Sequence, residues 1–465
     1  MKSLTISDIM VIEEDHQKTL IEEVSPMAII SQMKLFDYTE IEKLGDLERL
    51  LLVTEYLPDE KLMKHLEKEC GKGRDDYPIR GMWNSLLAGI IYQYDTVESL
   101  RRELARNGQL RSICGLSNKV PPPWVYSRFL NKLMEDEHKY YIDEIFNNLI
   151  EQLQELLPDF GKRLAVDGKA IESFANSHKY DEDNEDIKDD RRRDMDANYG
   201  KKVYHWEDEN GNKYKKVKSW FGYKLHLIVD SMYELPVAFE VTPTSSGEAP
   251  KAHKLIDELD EKHPEILEDC KFFSADRGYD DGKLSKKLWD EYGIKPVIDI
   301  RNMWKGDKTR LLEGTDNVVY DYCANVYCYD PKTGQKREMA YGGFEKDRET
   351  LKYRCPAEHY GLECKGKEEC PIPKSIRIPI SEDKRRFTPL ARSSYKWDRE
   401  YDRRTAVERV NSRLDVSYGF ENHTIRGLKK MKLQCSLSLI VMLAMAAGRI
   451  KEKQKDKMRS LVEAA

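Results

Sequence analysis

From residue 161 the chain alternates short apolar runs with segments of helical periodicity, and this alternation restricts the possible folds most. Five runs have the length and the Val, Ile and Phe content of strands: RLAVDGKAI, KSWFGYKLHLIVD, LPVAFEVTP, CKFFSAD and KPVIDI. SGEAPKAHKLIDELDEKH and LSKKLWDEYG, which separate the later runs, predict helices. Antiparallel strands followed by β-α-β units predict an α/β fold with an RNase H-like core.

Three acidic residues stand in contexts that suit metal-binding carboxylates. Asp167 in RLAVDGKAI and Asp276 in KFFSADRGYDD each follow an apolar run, which is typical of a buried strand that delivers a side chain at its end. Glu408 lies in a segment rich in Arg, Ala, Val and Leu without Gly or Pro, which predicts a helix. Tyr401, Arg404 and Glu408 are spaced i, i+3 and i+7, so we expect them on one helical face.

Such a set of carboxylates suits phosphodiester chemistry. Two divalent metals held roughly 3.5–4 Å apart can activate a water or 3′-hydroxyl and stabilise the leaving oxygen. Hard oxygen ligands favour Mg²⁺ or Mn²⁺, so we predict that Asp167, Asp276 and Glu408 are catalytic and bind two such ions. Arg404 is predicted to grip a phosphate bidentately, and Tyr401 to offer a further phosphate contact. Singly, each residue has a plainer explanation as a turn residue, cap or surface ion pair.

Taken together, these motifs resemble those of bacterial insertion-sequence transposases of the DDE class, in the cut-and-paste group. In that group the third acid lies in a Tyr-x2-Arg-x3-Glu-x6-Lys signature, which Tyr401, Arg404 and Glu408 match. The resemblance covers roughly residues 76 to 450. Further similar stretches, in the expected order, are AVDGKAI, WFGYKLHLIVD, LPVAFEVTPTSSGEAPKAHKLIDEL, SADRGYDD and GIKPVIDIR.

One position departs from the signature, because Asp415 stands where the family has Lys. The phosphate contact of that lysine then needs another cation. Arg409 and Arg413 are the nearby candidates, although neither lies on the Glu408 stripe as Asp415 does.

The resemblance implies an enzyme that binds the terminal inverted repeats of an insertion sequence, cleaves there and joins the 3′ ends to target DNA. Its partner is double-stranded DNA, and synapsis of two ends implies a homodimer. One alternative is a metal-dependent nuclease of the same fold, which cuts without joining. A second alternative is a domesticated, non-catalytic DNA-binding protein, which the presence of all three acids disfavours.

The chain before the predicted sheet has apolar residues at helical spacing. The segment after Met82 is compatible with a helix-turn-helix whose second helix is Trp124 to Lys132. In the resembling family, a helical domain at this place helps bind the terminal DNA. The predicted organisation is an N-terminal helical arm (1–75), a helical DNA-binding domain (76–160), the catalytic core (161–300 and 391–450, with a charged loop at 178–216), a Cys-rich insertion (301–390) and a basic tail (451–465).

Five of the nine cysteines fall within the insertion between the second and third acids. Without an export signal, a reducing cytoplasm makes disulfides a poor explanation and a thiolate metal site a better one. A structural Zn²⁺ site and free cysteines both remain open, since no C-x2-C knuckle is present. The candidate ligands are Cys323, Cys328, Cys355, Cys364 and Cys370, with His359 as a further possible fourth ligand.

The overall charge is −6, which alone argues against a DNA-binding protein. Residues 391–465, however, contain 17 Lys and Arg against 9 Asp and Glu, a net of +8 that leaves −14 for the rest. We therefore expect DNA to follow local basic tracks. The apolar stretch Leu433–Gly448 is short for a membrane span and is predicted to be a buried core helix. These features indicate a cytoplasmic protein, associated with the nucleoid when it acts, with no membrane partner.

Overall fold

The computed structural model describes residues 45–71, 76–116, 119–175, 194–208, 212–306, 308–372 and 374–460. Several sequence predictions therefore lie wholly or partly outside the described residues. They are most of the N-terminal arm, residues 178–193 of the charged loop, which include Arg191–Arg193, and the end of the basic tail.

Helices fill the described chain before the sheet. Thr96 and Ser99 form a capping box at the start of one of these helices, and Gly115 ends the next in the left-handed conformation that glycine favours. One helix, Pro123–Leu133, covers the segment expected as the second helix of a helix-turn-helix. The helices are α1 (Glu48–Tyr56), α2 (Glu60–Cys70), α3 (Ile79–Ile91), α4 (Val97–Arg106), α5 (Gly108–Cys114), α6 (Pro123–Leu133) and α7 (Asp136–Leu156).

A six-stranded mixed sheet follows. Its strands are β1 (Arg163–Glu172), β2 (Asn198–Glu207), β3 (Lys213–Asp230), β4 (Leu235–Pro243), β5 (Phe272–Ala275) and β6 (Lys295–Ile298). The strand order is β2-β3-β1-β5-β6, and β4 also pairs with β3. The pairs among β1 to β4 are antiparallel, whereas β1–β5 and β5–β6 are parallel. All five predicted strands are present, and β1 lies at the centre.

Two features of this region differ from the sequence prediction or complete it. β2, which falls within the predicted charged loop, forms a long hairpin with the first half of β3. The parallel connections contain the two predicted helices and one short extra helix. These are α8 (Glu248–Lys262), α9 (Pro264–Asp269) and α10 (Gly282–Asp290).

The insertion folds into two small antiparallel sheets around a core of its own. That core has eleven buried residues, among them Tyr353 and Phe387. Trp304 packs on its edge, between Arg310 and Arg386 and against Tyr320. The elements are β7 (Arg310–Leu311), β8 (Val318–Tyr320), β9 (Val326–Tyr329), β10 (Lys336–Glu338), β11 (Ala340–Glu345), β12 (Thr350–Arg354), α11 (Pro356–Tyr360) and β13 (Ser375–Pro379).

Three helices close the described chain: α12 (Tyr395–Asp402), α13 (Thr405–Tyr418) and α14 (Leu428–Lys451). α14 is long and apolar enough by composition to cross a membrane, but 89% of its apolar window is buried inside the protein. A side chain at Gly448 would come within 2.8 Å of Leu52 on α1, so the two helices pack closely. The prediction of a buried core helix is confirmed, and the large core joins α14, the N-terminal helices and the sheet.

Candidate active site

Strand register brings the first two acids together. β1 and β5 are parallel, and their pairing ends with Val166 opposite Ala275, so Asp167 and Asp276 follow side by side. The first two acids therefore lie on neighbouring strands. Asp167 lies inside β1 rather than at its end, because β1 continues along β3 as far as Glu172. Asp276 does follow the end of its strand.

Both carboxylates are oriented by the backbone. The N–H of Gly168 donates to Oδ1 of Asp167 at 2.8 Å, and the N–H of Gly278 donates to Oδ1 of Asp276 at 2.7 Å. Both bonds use Oδ1. In the described part of the chain, Oδ2 of each aspartate accepts no hydrogen bond and can bind a metal ion. Carboxylates fixed in this way present preformed oxygen ligands.

Glu408 enters from the C-terminal helices. The sequence predicted one helix carrying Tyr401, Arg404 and Glu408, but the structure breaks it: α12 ends at Asp402 and α13 begins at Thr405. The intervening residues keep right-handed helical angles, so Arg404 still reaches Glu408, with Nη1 2.7 Å from Oε1. Tyr401 instead stacks on Trp397, with ring centroids 4.7 Å apart.

One cleft of about 1500 Å³ contains these groups. It is lined by Asp167, Asp276, Glu408 and Arg404. Tyr401 does not line the cleft, and its ring lies next to the guanidinium of Arg404. The structure therefore brings together the three acids and the arginine that the sequence singled out.

Carboxylates cluster around Asp167 within the cleft. Burial, together with the carboxylates of Asp276 and Glu248, raises the pKa of Asp167 to about 6, while the Gly168 N–H and Arg404 act in the opposite direction. These carboxylates offer several hard oxygen donors beside Asp167, which suits a divalent cation, while Lys and Arg side chains line the rest of the cleft. The residues therefore fit a metal site of the kind predicted.

Glu248 is a cleft residue that the sequence reasoning missed. It is the first residue of α8, its Oε1 lies 3.0 Å from Nζ of Lys224, and a side chain at Gly278 would come within 1.9 Å of its Oε2. The glycine is thus required for Glu248 to approach Asp276. The sequence could have indicated Glu248, because it is an acid at the start of a predicted helix and lies in the TSSGEAP stretch that resembles the family.

A cation also occupies the neighbourhood of Asp415. Lys169, two residues after Asp167 on the same strand, forms an ion pair with Asp415, and both residues line the cleft. Arg409 and Arg413, the two candidates for replacing the signature lysine, contact Glu234 instead of the cleft. Arg409 pairs with Glu234 at 2.7 Å, and Arg413 donates to the backbone carbonyl of that same residue.

The β2–β3 hairpin forms a basic and aromatic rim. Lys201, Lys202 and Lys218 line the cleft. Farther along the hairpin, Trp206 and Tyr214 stack with centroids 5.5 Å apart at 14°, although their side chains are exposed. Exposed stacked aromatics beside lysines are typical of nucleic-acid contact surfaces.

The cysteines of the insertion divide into two groups. Burial raises the pKa of Cys328 to about 11, and the thiols of Cys355, Cys370 and Cys364 act in the same direction. Cys355, Cys364 and Cys370 therefore lie in the neighbourhood of Cys328. The neighbours of Cys323 are different: Tyr322, Asp321, Arg392 and Asp299. All five are free thiols.

Comparison with known protein families identifies two transposase domains in the chain. The family described as Transposase DDE domain matches residues 160–444, more than half of the chain, and a transposase domain of the DUF772 family matches residues 38–132. No curated protein and no solved structure matches the chain. Transposases act on DNA, and this family generally uses divalent metal ions. The chain belongs to the DDE transposase family.

Proposed function

We propose that the protein binds the terminal inverted repeats of an insertion sequence, cleaves there and joins the 3′ ends to target DNA. The observation that carries this proposal is the convergence of Asp167, Asp276 and Glu408 on one cleft, from two parallel strands and one later helix. The central position of β1, between antiparallel β3 and parallel β5, supports an RNase H-like core.

In this proposal Asp167, Asp276 and Glu408 hold two Mg²⁺ or Mn²⁺ ions. When bound, such a pair activates the attacking water or 3′-hydroxyl and stabilises the leaving oxygen. The chain's own contribution is to fix the ligands: the Gly168 and Gly278 N–H groups orient the two aspartates. Glu248 adds negative charge beside Asp167 and orients Lys224.

Cations in the cleft are assigned to the DNA phosphates. Arg404 is held by Glu408 and is mostly buried, so its planar guanidinium is available in one orientation for a bidentate phosphate contact. Lys169 supplies the cation that the family signature has at position 415. Tyr401 supports Arg404 by lying under its guanidinium, 5.5 Å from ring centroid to Cζ, and contacts phosphate only at the edge of the cleft.

The β2–β3 hairpin is proposed to guide DNA into the cleft. Lys201, Lys202 and Lys218 would follow the phosphate backbone, and Trp206 with Tyr214 would offer a flat surface for an unpaired base or a sugar. A local basic surface of this kind resolves the conflict between a net charge of −6 and a DNA partner.

Two further assignments complete the proposal. Synapsis of two ends requires two copies, so we propose a homodimer acting in the cytoplasm at the nucleoid. Cys328, Cys355, Cys364 and Cys370 are proposed to bind one structural Zn²⁺, which would join β9 to the loops around α11.

A strand-transfer assay tests the function. Two DNA ends carrying the inverted repeats that flank the coding sequence are incubated with the protein, Mg²⁺ and a supercoiled plasmid. We expect joined products that carry both ends. Cleaved ends without joined products would identify a nuclease instead, and binding without cleavage would identify a non-catalytic DNA-binding protein.

A further inference from the structure

A second cluster of metal-ligating side chains lies outside the catalytic cleft, between helices α2 and α7. His65 and Glu69 occupy i and i+4 positions of α2, and His138 lies in the first turn of α7. Their ligand atoms all lie within 4.8 Å of one another. Among the described residues, this is the group of three or more His, Cys and carboxylate ligands that meets so tight a spacing.

The distances describe a converging set rather than a chain of separate pairs. Nε2 of His138 lies 2.9 Å from Oε2 of Glu69, and Nε2 of His65 lies 3.4 Å from Oε1 of the same carboxylate. Oε1 of Glu137, beside His138, lies 3.3 Å from Nε2 of His65. Two imidazoles and the carboxylate of Glu69 therefore converge from two helices, and Glu137 adjoins them at His65, which together give a donor set suited to tetrahedral Zn²⁺.

Burial and the outer contacts also favour a ligand. His138 is fully buried, and its Nδ1 has no hydrogen-bond partner but faces Oε2 of Glu135 at 3.5 Å. A carboxylate on the far nitrogen of a metal-ligating histidine fixes its tautomer and increases its basicity. Nε2 of His65 is buried and makes no hydrogen bond either. Glu137 is 65% exposed, which leaves an entry path on its side.

Lys132 on α6 competes for the same carboxylate. Its Nζ lies 2.6 Å from Oε2 of Glu69, and its side chain is 28% exposed. A lysine with this exposure can move into solvent when a divalent cation takes its place. Without a metal, Lys132 is the positive charge that pairs with Glu69. If a metal occupies the site, removing Lys132 should favour metal binding. If none does, removing Lys132 only takes away the ion pair of Glu69.

We propose that His65, Glu69 and His138, with Glu137 as fourth ligand, form a binding site for a borderline divalent cation of the zinc type. The site joins α2, within the matched DUF772 region, to α7, whose last residue lies seven positions before the first strand of the catalytic sheet. Such a metal is structural, because all four positions come from protein side chains.

Titration of the full-length protein with Co²⁺ tests this site. Cobalt bound by imidazoles and carboxylates gives weak visible bands, whereas cobalt bound by thiolates adds an intense near-ultraviolet charge-transfer band, so the cysteine site is distinguished. We expect one equivalent with the weak spectrum that is kept in Asp167→Asn, which disables the catalytic cleft, and lost in both His65→Gln and His138→Gln. His263→Gln, a buried histidine that pairs with Glu265 outside this cluster, is the matched control and should keep it.

Two gentler variants keep the test decisive if the histidine changes disturb folding. Lys132→Met should tighten Co²⁺ binding, since it removes the competing cation, and Glu135→Gln should weaken it by about 10- to 100-fold. Unchanged affinity in both variants, or no cobalt bound with the weak spectrum, would overturn the proposal. Protease protection of α2 and α7 by Co²⁺ in the wild type gives a readout independent of transposition.

Discussion

The catalytic cleft and the Cys-rich insertion hold their candidate metal ligands by different means. In the cleft, two aspartates are positioned by the pairing of β1 with β5 inside the large core, before any ion arrives. In the insertion, the thiols lie on a short strand and on loops around a core of only eleven buried residues. The cleft should therefore keep its shape without metal, whereas the insertion should depend on metal for its order.

The largest expected effect concerns the three acids of the cleft. Asp167→Asn, Asp276→Asn and Glu408→Gln each remove a charged ligand while preserving side-chain size, so metal-dependent cleavage should fall by about three orders of magnitude or more. End-DNA binding and thermal stability should persist, because the cleft is built by strand pairing. Cleavage-rate and mobility-shift measurements check both expectations.

Glu421→Gln is the matched control, because Glu421 lines the same cleft without belonging to the proposed set. Near-normal cleavage in Mg²⁺ by any one of the three amide variants would remove that residue from the catalytic set. A triple variant should be little worse than each single one, since the carboxylates act as a unit.

The insertion should show the opposite behaviour. Cys328→Ser should remove the zinc bound by the insertion and expose residues 320–375 to protease, because a loop-rich segment loses the ligand that joins its parts. Cys323→Ser is the control and should retain the zinc of the insertion, since Cys323 has other neighbours. Metal analysis of freshly reduced protein, combined with limited proteolysis, measures both.

Two results would contradict this contrast. Equal zinc content in the Cys328 and Cys323 variants would place the ligand set elsewhere. Digestion of the catalytic sheet along with the insertion would mean that the two regions do not fold as independently as their separate cores indicate.

Arg404 gives a smaller effect within the cleft. Arg404→Lys keeps the charge but loses the planar fork, so strand transfer should fall at least about tenfold, equivalent to roughly 1.4 kcal/mol of barrier. Arg403→Lys is the matched neighbour, because Arg403 faces Glu400 outside the cleft, and it should remain within a factor of about two. A wild-type rate for Arg404→Lys would leave that residue as a simple ion-pair partner of Glu408.

Sequence alone anticipated the sheet well for a physical reason. Buried strands need continuous apolar runs, and each of the five runs became a strand with bounds close to those expected. β2 was missed because its exposed, lysine-rich residues carry the signature of a loop. The break between α12 and α13 was missed because Arg403 and Arg404 keep helical angles, and no Gly or Pro marks the site.

The site was anticipated in its three acids and in Arg404, but not in its other charges. Asp167, Asp276 and Glu408 stand at positions that secondary structure explains. Lys169 meets Asp415 across 246 positions of the sequence, a contact that no local spacing can indicate. Contacts of this kind follow from tertiary packing, and the same holds for the approach of Glu248 to the two aspartates.

The pH dependence of metal binding offers a further test of the preformed cleft. The folded pKa of Asp167, about 6, lies above its ordinary value, so the folded state favours the proton and stability falls as pH rises from about 4 to about 6. Metal must displace that proton, and Mg²⁺ affinity should fall about tenfold per pH unit below about 6.

Calorimetric titration at several pH values measures this slope. Asp230 has a similarly raised pKa of about 6 but belongs to the β3–β4 turn, so Asp230→Asn should leave the slope unchanged. Asp167→Asn should remove it. A slope that persists in Asp167→Asn would assign the proton to another carboxylate of the cleft.

The smallest effect distinguishes two origins of the phosphate-binding cation. If Lys169 replaces the signature lysine, Asp415→Lys places two ammonium groups together and should slow strand transfer by about two- to fivefold, the range of a partly exposed ion pair. The charge-swapped double variant Lys169→Asp, Asp415→Lys should recover part of that loss, because it restores the pair and returns a lysine to the signature position. Arg409→Ala, whose partner Glu234 lies outside the cleft, should change the rate little.

If Asp415→Lys instead speeds strand transfer and Lys169→Ala has no effect, the phosphate-binding cation belongs on α13. The Lys169–Asp415 pair then only joins that helix to β1.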